Sequence, residues 1–200
     1  MKVIKLTGGI LESNGYIIYQ NKGGDCYIID PGHSGPRFVE QIKKNCFNPK
    51  GIILTHHHPD HVGGMKAIQE AFDCPTYMHE MDALVFKKTI DVHLKDGDVF
   101  DLEGEELKVI STPGHTKGSI CLMSEKSRIC FTGDTIFDTD LGRSDLPGGD
   151  EAEMEDSVRN IISKWENDIF IYPGHDQGAT MKTVRTYNTE YLAIMEGQGR

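Results

Sequence analysis

Seven side chains suited to binding a metal ion gather at a few points of this 200-residue sequence, most densely in Thr55-His56-His57-His58-Pro59-Asp60-His61. His56, His58, Asp60 and His61 fall within six residues of a chain that holds only 9 His, and roughly 0.0015 such runs are expected by chance. In an extended segment alternate side chains share a face, so His56, His58 and Asp60 are expected to point together while His57 and Pro59 point away. Pro59 steers His58 out of the helical region, which keeps the segment extended until the turn into Gly63-Gly64 and brings His61 round to the same cavity. Imidazole and carboxylate without thiolate suit zinc, with iron and manganese as competitors. Four ligands on one short loop do not complete two metal sites, so partners are expected at strand ends. Three residues qualify: His115 in Thr112-Pro113-Gly114-His115-Thr116, Asp134 in Thr132-Gly133-Asp134-Thr135, and His175 in Tyr172-Pro173-Gly174-His175.

The elements that position these residues are legible as short apolar runs. Val3 to Leu6, Tyr16 to Tyr19 and Cys26 to Ile29 read as strands, the last stopped by Asp30-Pro31-Gly32. Phe38 to Cys46 has helical spacing, and Gly51 to Thr55 is a strand that delivers the chain into the histidine cluster. Met65 to Phe72 reads as a helix. Leu107 to Ile110, Ser119 to Met123, Arg128 to Thr132 and Ile169 to Tyr172 read as strands, and Asp150 to Trp165 and Thr180 to Met195 as helices. Strands in hairpin-like succession, followed by alternation with helices, favour two sheets packed together with helices outside over one doubly wound sheet.

Composition narrows the function classes. With 38% hydrophobic and 26% charged residues the chain is globular, and about 70% of its surface can be buried on folding, which suits a single domain over residues 1–200. No apolar run reaches the length of a membrane helix, and the start lacks the apolar stretch of a secretory leader, so a cytoplasmic location without membrane insertion is expected. A net charge of −10 offers no basic field for a nucleic acid. Five scattered cysteines without a CxxC pair read as free thiols, not as a zinc site.

The run HxHxDH followed by His, Asp and His, in this order and at these distances, resembles the metallo-β-lactamase superfamily. The resemblance extends from the Ile29-Asp30-Pro31-Gly32 turn to the last helix. It implies an α+β fold, a four-layer αββα sandwich, with two metals at one edge between the sheets. It also implies the division of ligands: His56, His58 and His115 on one metal, Asp60, His61 and His175 on the other, Asp134 bridging. The run Gly133-Asp134-Thr135-Ile136-Phe137, with Gly142-Arg143-Ser144-Asp145-Leu146-Pro147-Gly148-Gly149-Asp150 after it, looks like the glyoxalase II branch, which hydrolyses thioesters. This chain has one helical stretch after His175, where glyoxalase II has an added helical region that helps hold glutathione. Part of the Gly-Arg-x-Asp pattern is shared with iron-dependent persulfide dioxygenases, a second reading. Phosphodiesterases and RNA-processing hydrolases of the superfamily are a third.

The first reading implies a metal-bridging hydroxide that attacks a small thioester or related acyl ester, with Asp60 both binding a metal and accepting a proton. Its partner is then a small-molecule acyl substrate, with no nucleic acid and an oligomeric state that the sequence leaves open. Arg143, on a Gly/Pro-rich loop, is a candidate substrate contact. Asp30, at the end of a strand, is a candidate acceptor for a ligand imidazole N–H. His33, His57, His79 and His93 read as surface or satisfied histidines.

Overall fold

A computed structural model describes residues 1–199. Two six-stranded sheets face each other. The first runs β1 (Lys2–Gly8), β2 (Ser13–Tyr19), β3 (Asp25–Ile29), β4 (Asn48–Leu54), β5 (Thr76–His79) and β6 (Val92–Leu94), in chain order across the sheet. The second contains β7 (Val99–Asp101), β8 (Glu106–Ser111), β9 (Ile120–Ser124), β10 (Ile129–Gly133), β11 (Phe170–Pro173) and β12 (Ala179–Thr180), also neighbours in chain order. Antiparallel pairs begin each sheet, and the chain turns parallel from β3 to β6 and between β10 and β11. Parallel strands need crossovers, and helices supply the long ones. They are α1 (Gly35–Asn45), α2 (Pro59–Val62), α3 (Met65–Phe72), α4 (Glu80–Val85), α5 (Glu151–Asn160), α6 (Met181–Tyr187) and α7 (Thr189–Met195).

The period of two along each strand sorts the apolar residues into three layers. Ile17, Ile28, Ile52 and Leu54 face outward against Phe38 and Ile42 of α1 and Met65 and Ile68 of α3. Tyr16, Ile18, Ile29 and Ile53 face inward and meet Leu107, Val109, Ile120, Leu122 and Phe131 of the opposite sheet. Cys121, Met123, Cys130 and Ile171 face outward on the second sheet, against Met154, Val158, Val184 and Ile194 of α5, α6 and α7. Each fully buried Leu, Ile or Phe contributes about 1.5–3 kcal/mol, so the three layers together carry the αββα sandwich.

Several elements differ from the sequence reading. The expected helix from Thr180 to Met195 is two helices, because Asn188 breaks from helical geometry and its side chain accepts from Tyr191 N as the cap of α7. The helix expected to reach Trp165 ends at Asn160, and a 3-10 turn, Ile162–Lys164, follows it. Strands β5, β6, β7 and β12 have two to four residues, too few for periodicity to register. The histidine segment is extended only as far as His58, whose φ of −65° and ψ of 145° fit the residue before a proline. Pro59 then opens α2, so a helical turn and not strand alternation brings Asp60 and His61 round.

Candidate metal centre

Strand ends from both sheets meet at one edge. Asp30 follows β3, Thr55 to His58 follow β4, Thr112 to Gly118 follow β8, Asp134 follows β10, and His175 follows β11. Backbone bonds stitch the sheets together there: Ile120 N donates to Thr55 O (3.0 Å) and Asn14 N to Gly174 O (2.6 Å), while Gly174 N donates to Gly133 O (2.8 Å) within the second sheet. Tyr16 Oη adds a bond to Pro173 O at 2.5 Å. Glycines permit the approach. A Cβ on Gly142 would lie 1.6 Å from Asp134 O, and one on Gly174 would lie 2.1 Å from Asp134 Oδ1.

The outward nitrogen of each imidazole, His58 excepted, has a partner that fixes the ring. His115 Nδ1 donates to Arg143 O (2.7 Å) and His175 Nδ1 to Leu11 O (3.0 Å). His61 Nδ1 faces Asp30 Oδ2 at 3.3 Å. Thr55 Oγ1 donates to Asp30 Oδ2 (2.6 Å), so its lone pair is left to accept from His56 Nδ1 at 3.1 Å. With Nδ1 donating, the neutral ring of each carries its lone pair on Nε2. Those four Nε2 atoms all point inward. His58 presents Nδ1 instead, 2.9 Å from His115 Nε2.

Two groups result, and within each the candidate ligand atoms lie inside 4.8 Å of one another: His56 with His58 and His115, and Asp60 with His61 and His175. Asp134 sits between them. Its Oδ2 is 3.9 Å from His56 Nε2, 3.6 Å from His115 Nε2 and 3.4 Å from His175 Nε2, and its Oδ1 is 3.4 Å from His61 Nε2. Asp60 Oδ2 lies 3.4 Å from His61 Nε2 and 3.3 Å from His175 Nε2. Asp30 is close to His56 and His61 too, but Thr55 N and Oγ1 already occupy its carboxylate. It orients His61 from outside the cluster.

The electrostatics mark this edge as a place for positive charge. Burial works against a charge on His61, and Asp134, Asp30 and Asp60 override it, holding its pKa well above the ordinary imidazole value. Burial likewise opposes His175, and Asp134 and Asp60 raise it to about 10. Asp134 and Asp60 stay ionised despite burial, their pKa values depressed by His61 and His175. The other group behaves in the opposite way. Burial and neighbouring imidazoles push His58 down to about 4 and His56 well below the ordinary range, and burial lowers His115. Among the described residues, His56 Nε2 and Asp134 Oδ1 are buried without a hydrogen-bond partner, a costly arrangement for two polar atoms. Inward ring nitrogens, two carboxylates and two buried polar atoms without a hydrogen-bond partner are what cations would satisfy, and the residues present fit them.

The other histidines lie elsewhere. His57 turns to Asp82, with Nδ1 2.8 Å from Oδ2, and His79 caps α4 and meets Ser111 Oγ at 3.2 Å. His33 and His93 are exposed. The Arg143 guanidinium forms a two-pronged pair with Asp145 (2.7 and 2.8 Å) at the exposed surface, while its carbonyl orients His115. That carbonyl, the Leu11 carbonyl, Thr55 and Asp82 escape sequence reasoning. Backbone acceptors carry no residue signature, and Asp82 lies in a short helix far along the chain from its partners.

The family model of the metallo-beta-lactamase superfamily matches residues 8–175. The chain belongs to that superfamily, whose members are generally metal-dependent hydrolases. The Haemophilus influenzae protein named hydroxyacylglutathione hydrolase GloC is 31% identical over 172 residues, covering 77% of this chain and 81% of that protein. The crystal structure of TTHA1623 in a di-iron-bound form superposes with a TM-score of 0.83 at 27% identity, covering 94% of this chain and 99% of that one. The crystal structure of ETHE1 from Myxococcus xanthus, 22% identical, gives a TM-score of 0.86 over 99% of this chain and 91% of that one, a likeness of fold alone. Among the described residues no helix is long and apolar enough to cross a membrane.

Proposed function

We propose that this protein is a hydrolase of the glyoxalase II type that holds two divalent cations and cleaves a small thioester or related acyl ester. The observation that carries the reading is the convergence of four imidazole nitrogens, those of His56, His61, His115 and His175, on the carboxylates of Asp60 and Asp134, with His58 Nδ1 beside His115 Nε2 and, among the described residues, no hydrogen-bond partner for the buried His56 Nε2 and Asp134 Oδ1. His56, His58 and His115 would hold one cation, Asp60, His61 and His175 the other, and Asp134 would serve both. Zinc suits these donors best, and iron and manganese compete for them. Two cations so held supply Lewis-acid polarisation of an acyl carbonyl and lower the pKa of water towards neutrality.

The chain's own residues do the rest. Asp60, half-buried at the rim, is assigned as the proton acceptor. The Arg143 and Leu11 carbonyls fix the tautomers of His115 and His175, and Asp30 that of His61. The Arg143 side chain, on the exposed loop beside His115, is assigned to the substrate's polar end. The thioester class is supported by the name of the Haemophilus relative, and the net charge of −10 weighs against a nucleic-acid substrate.

Metal content per chain, measured beside a panel of thioester, lactone, phosphodiester and persulfide substrates, tests the reading. Two cations and thioester turnover are expected. One iron per chain with oxygen consumption on a persulfide would replace it with the dioxygenase reading, and turnover confined to phosphodiesters would replace it with the third.

A further inference from the structure

One buried carboxylate outside the seven ties together the loops that carry the first group. Asp82 lies on α4 and is 1% exposed. Its Oδ2 accepts from His57 N (2.9 Å), from His57 Nδ1 (2.8 Å) and from Thr116 Oγ1 (2.9 Å), and its Oδ1 accepts from Gly118 N (2.7 Å). These donors come from two loops that are distant in sequence. His57 stands between His56 and His58 on the loop after β4, and Thr116 follows His115 on the loop after β8. The fit is tight, since a Cβ on Gly118 would lie 2.5 Å from Asp82 N. The second group has separate anchors: Asp30 on His61, the Leu11 carbonyl on His175, and Ser13 Oγ on the Asp60 carbonyl at 2.7 Å.

We propose that Asp82 is a positioning residue that clamps the β4 and β8 loops in one register and so sets the spacing of His58 and His115, acting on that half of the centre and not on the other. An ionised carboxylate accepting four bonds is a stiff junction, because charge-assisted bonds are about twice as strong as neutral ones. Without it, the bond from Ile120 N to Thr55 O would still join the two segments, but the turns at His57 and Thr116 would lose their shared acceptor. The proposal rests on the two-cation reading, and its test separates the two ideas.

The experiment titrates the metal-stripped chain with Zn2+ against a chromophoric chelator and with Co2+ followed by its visible absorption. His58→Ala and His175→Ala serve as references for the two halves. Asp82→Ala is expected to weaken the cation that His58→Ala loses by about 10-fold or more, the scale typical of outer partners of ligands, and to alter its Co2+ bands. The cation that His175→Ala loses should keep its affinity. Asp82→Asn, which retains one carbonyl acceptor, should fall between. Unchanged affinities, or an equal fall in both, would overturn the assignment. If Asp82→Ala does not fold by circular dichroism, Thr116→Val, which removes the bond to Asp82 together with the one to Ser119 Oγ on its own loop, decides, with a selective weakening of about 3-fold expected and none counting against the proposal. A wild-type chain that binds one cation would sink the two-cation reading, yet Asp82 would still stand or fall on whether its loss weakens that cation. A chain that binds none would sink both.

Discussion

The two halves of the centre are built from different resources. His56, His58 and His115 form an imidazole half in which burial and mutual repulsion hold the rings neutral at pH 7. Asp60, His61 and His175 form a carboxylate half in which Asp60, Asp134 and Asp30 outweigh burial and keep the imidazoles protonated. On the proposed two-cation reading, the first half would accept a cation as it stands, whereas the second would have to release protons to do so. Site order and pH dependence follow from that difference.

Removing the shared carboxylate tests the comparison most severely. Asp134→Ala takes the acceptor from both halves, so at least one cation per chain should be lost and turnover should fall by more than about 100-fold, beyond the range for outer partners. His57→Ala, measured in parallel by metal analysis, should leave metal content nearly unchanged, because its backbone N–H still reaches Asp82. Loss of metal in His57→Ala as complete as in His58→Ala would mean that His57 belongs to the centre.

The pH dependence of binding separates the halves. Asp134 and Asp60 hold His175 up to about 10 against burial, so its proton would have to leave before a cation binds. In His58→Ala, which retains the carboxylate half, affinity should therefore rise with pH, by up to about tenfold per unit for each proton released. In His175→Ala, which retains the imidazole half, affinity should stay level down to the region of pH 5 and fall as His58 protonates near 4. Calorimetric titrations in buffers of different ionisation enthalpy would count the protons, and equal proton release from both halves would erase the distinction.

A smaller effect is expected beneath the halves. Thr55 Oγ1 links Asp30 to His56, so Thr55→Val should cost about 1–3 kcal/mol by leaving buried polar groups unsatisfied, measured by denaturant unfolding. Affinity at the imidazole half should fall with it. The smallest effect belongs to the rim. Arg143→Ala should raise KM about 2- to 5-fold, the scale of an exposed ion pair, and leave metal content alone. Matched acyl groups on glutathione, coenzyme A and a simple thiol extend this test. A preference for glutathione above roughly 100-fold, about 2.7 kcal/mol, would show that recognition reaches beyond Arg143.

Much of the cluster was legible because metal chemistry restricts residue types. His56, His58, Asp60 and His61 stand out by spacing, and His115, Asp134 and His175 by following apolar strands into glycine turns. Strand alternation up to His58 turns His57 away from the cluster toward Asp82, but Asp60 is brought round by a helical turn and not by alternation. Asp82 and the carbonyls of Leu11 and Arg143 were not legible, since their roles depend on segments distant in sequence. The split at Asn188 was missed because apolar spacing runs on through both helices while the cap interrupts only the backbone.

The sequence by itself determined which side chains are available for the chemistry, and through the period of two along its strands it determined the sandwich that buries them. Only the tertiary structure decided which nitrogen each imidazole turns inward, which residues fall into which half, and which groups carry charge. Those properties depend on distances of a few ångströms between strand ends from two sheets and on the loss of water around them, and neither is encoded in the local order of residues.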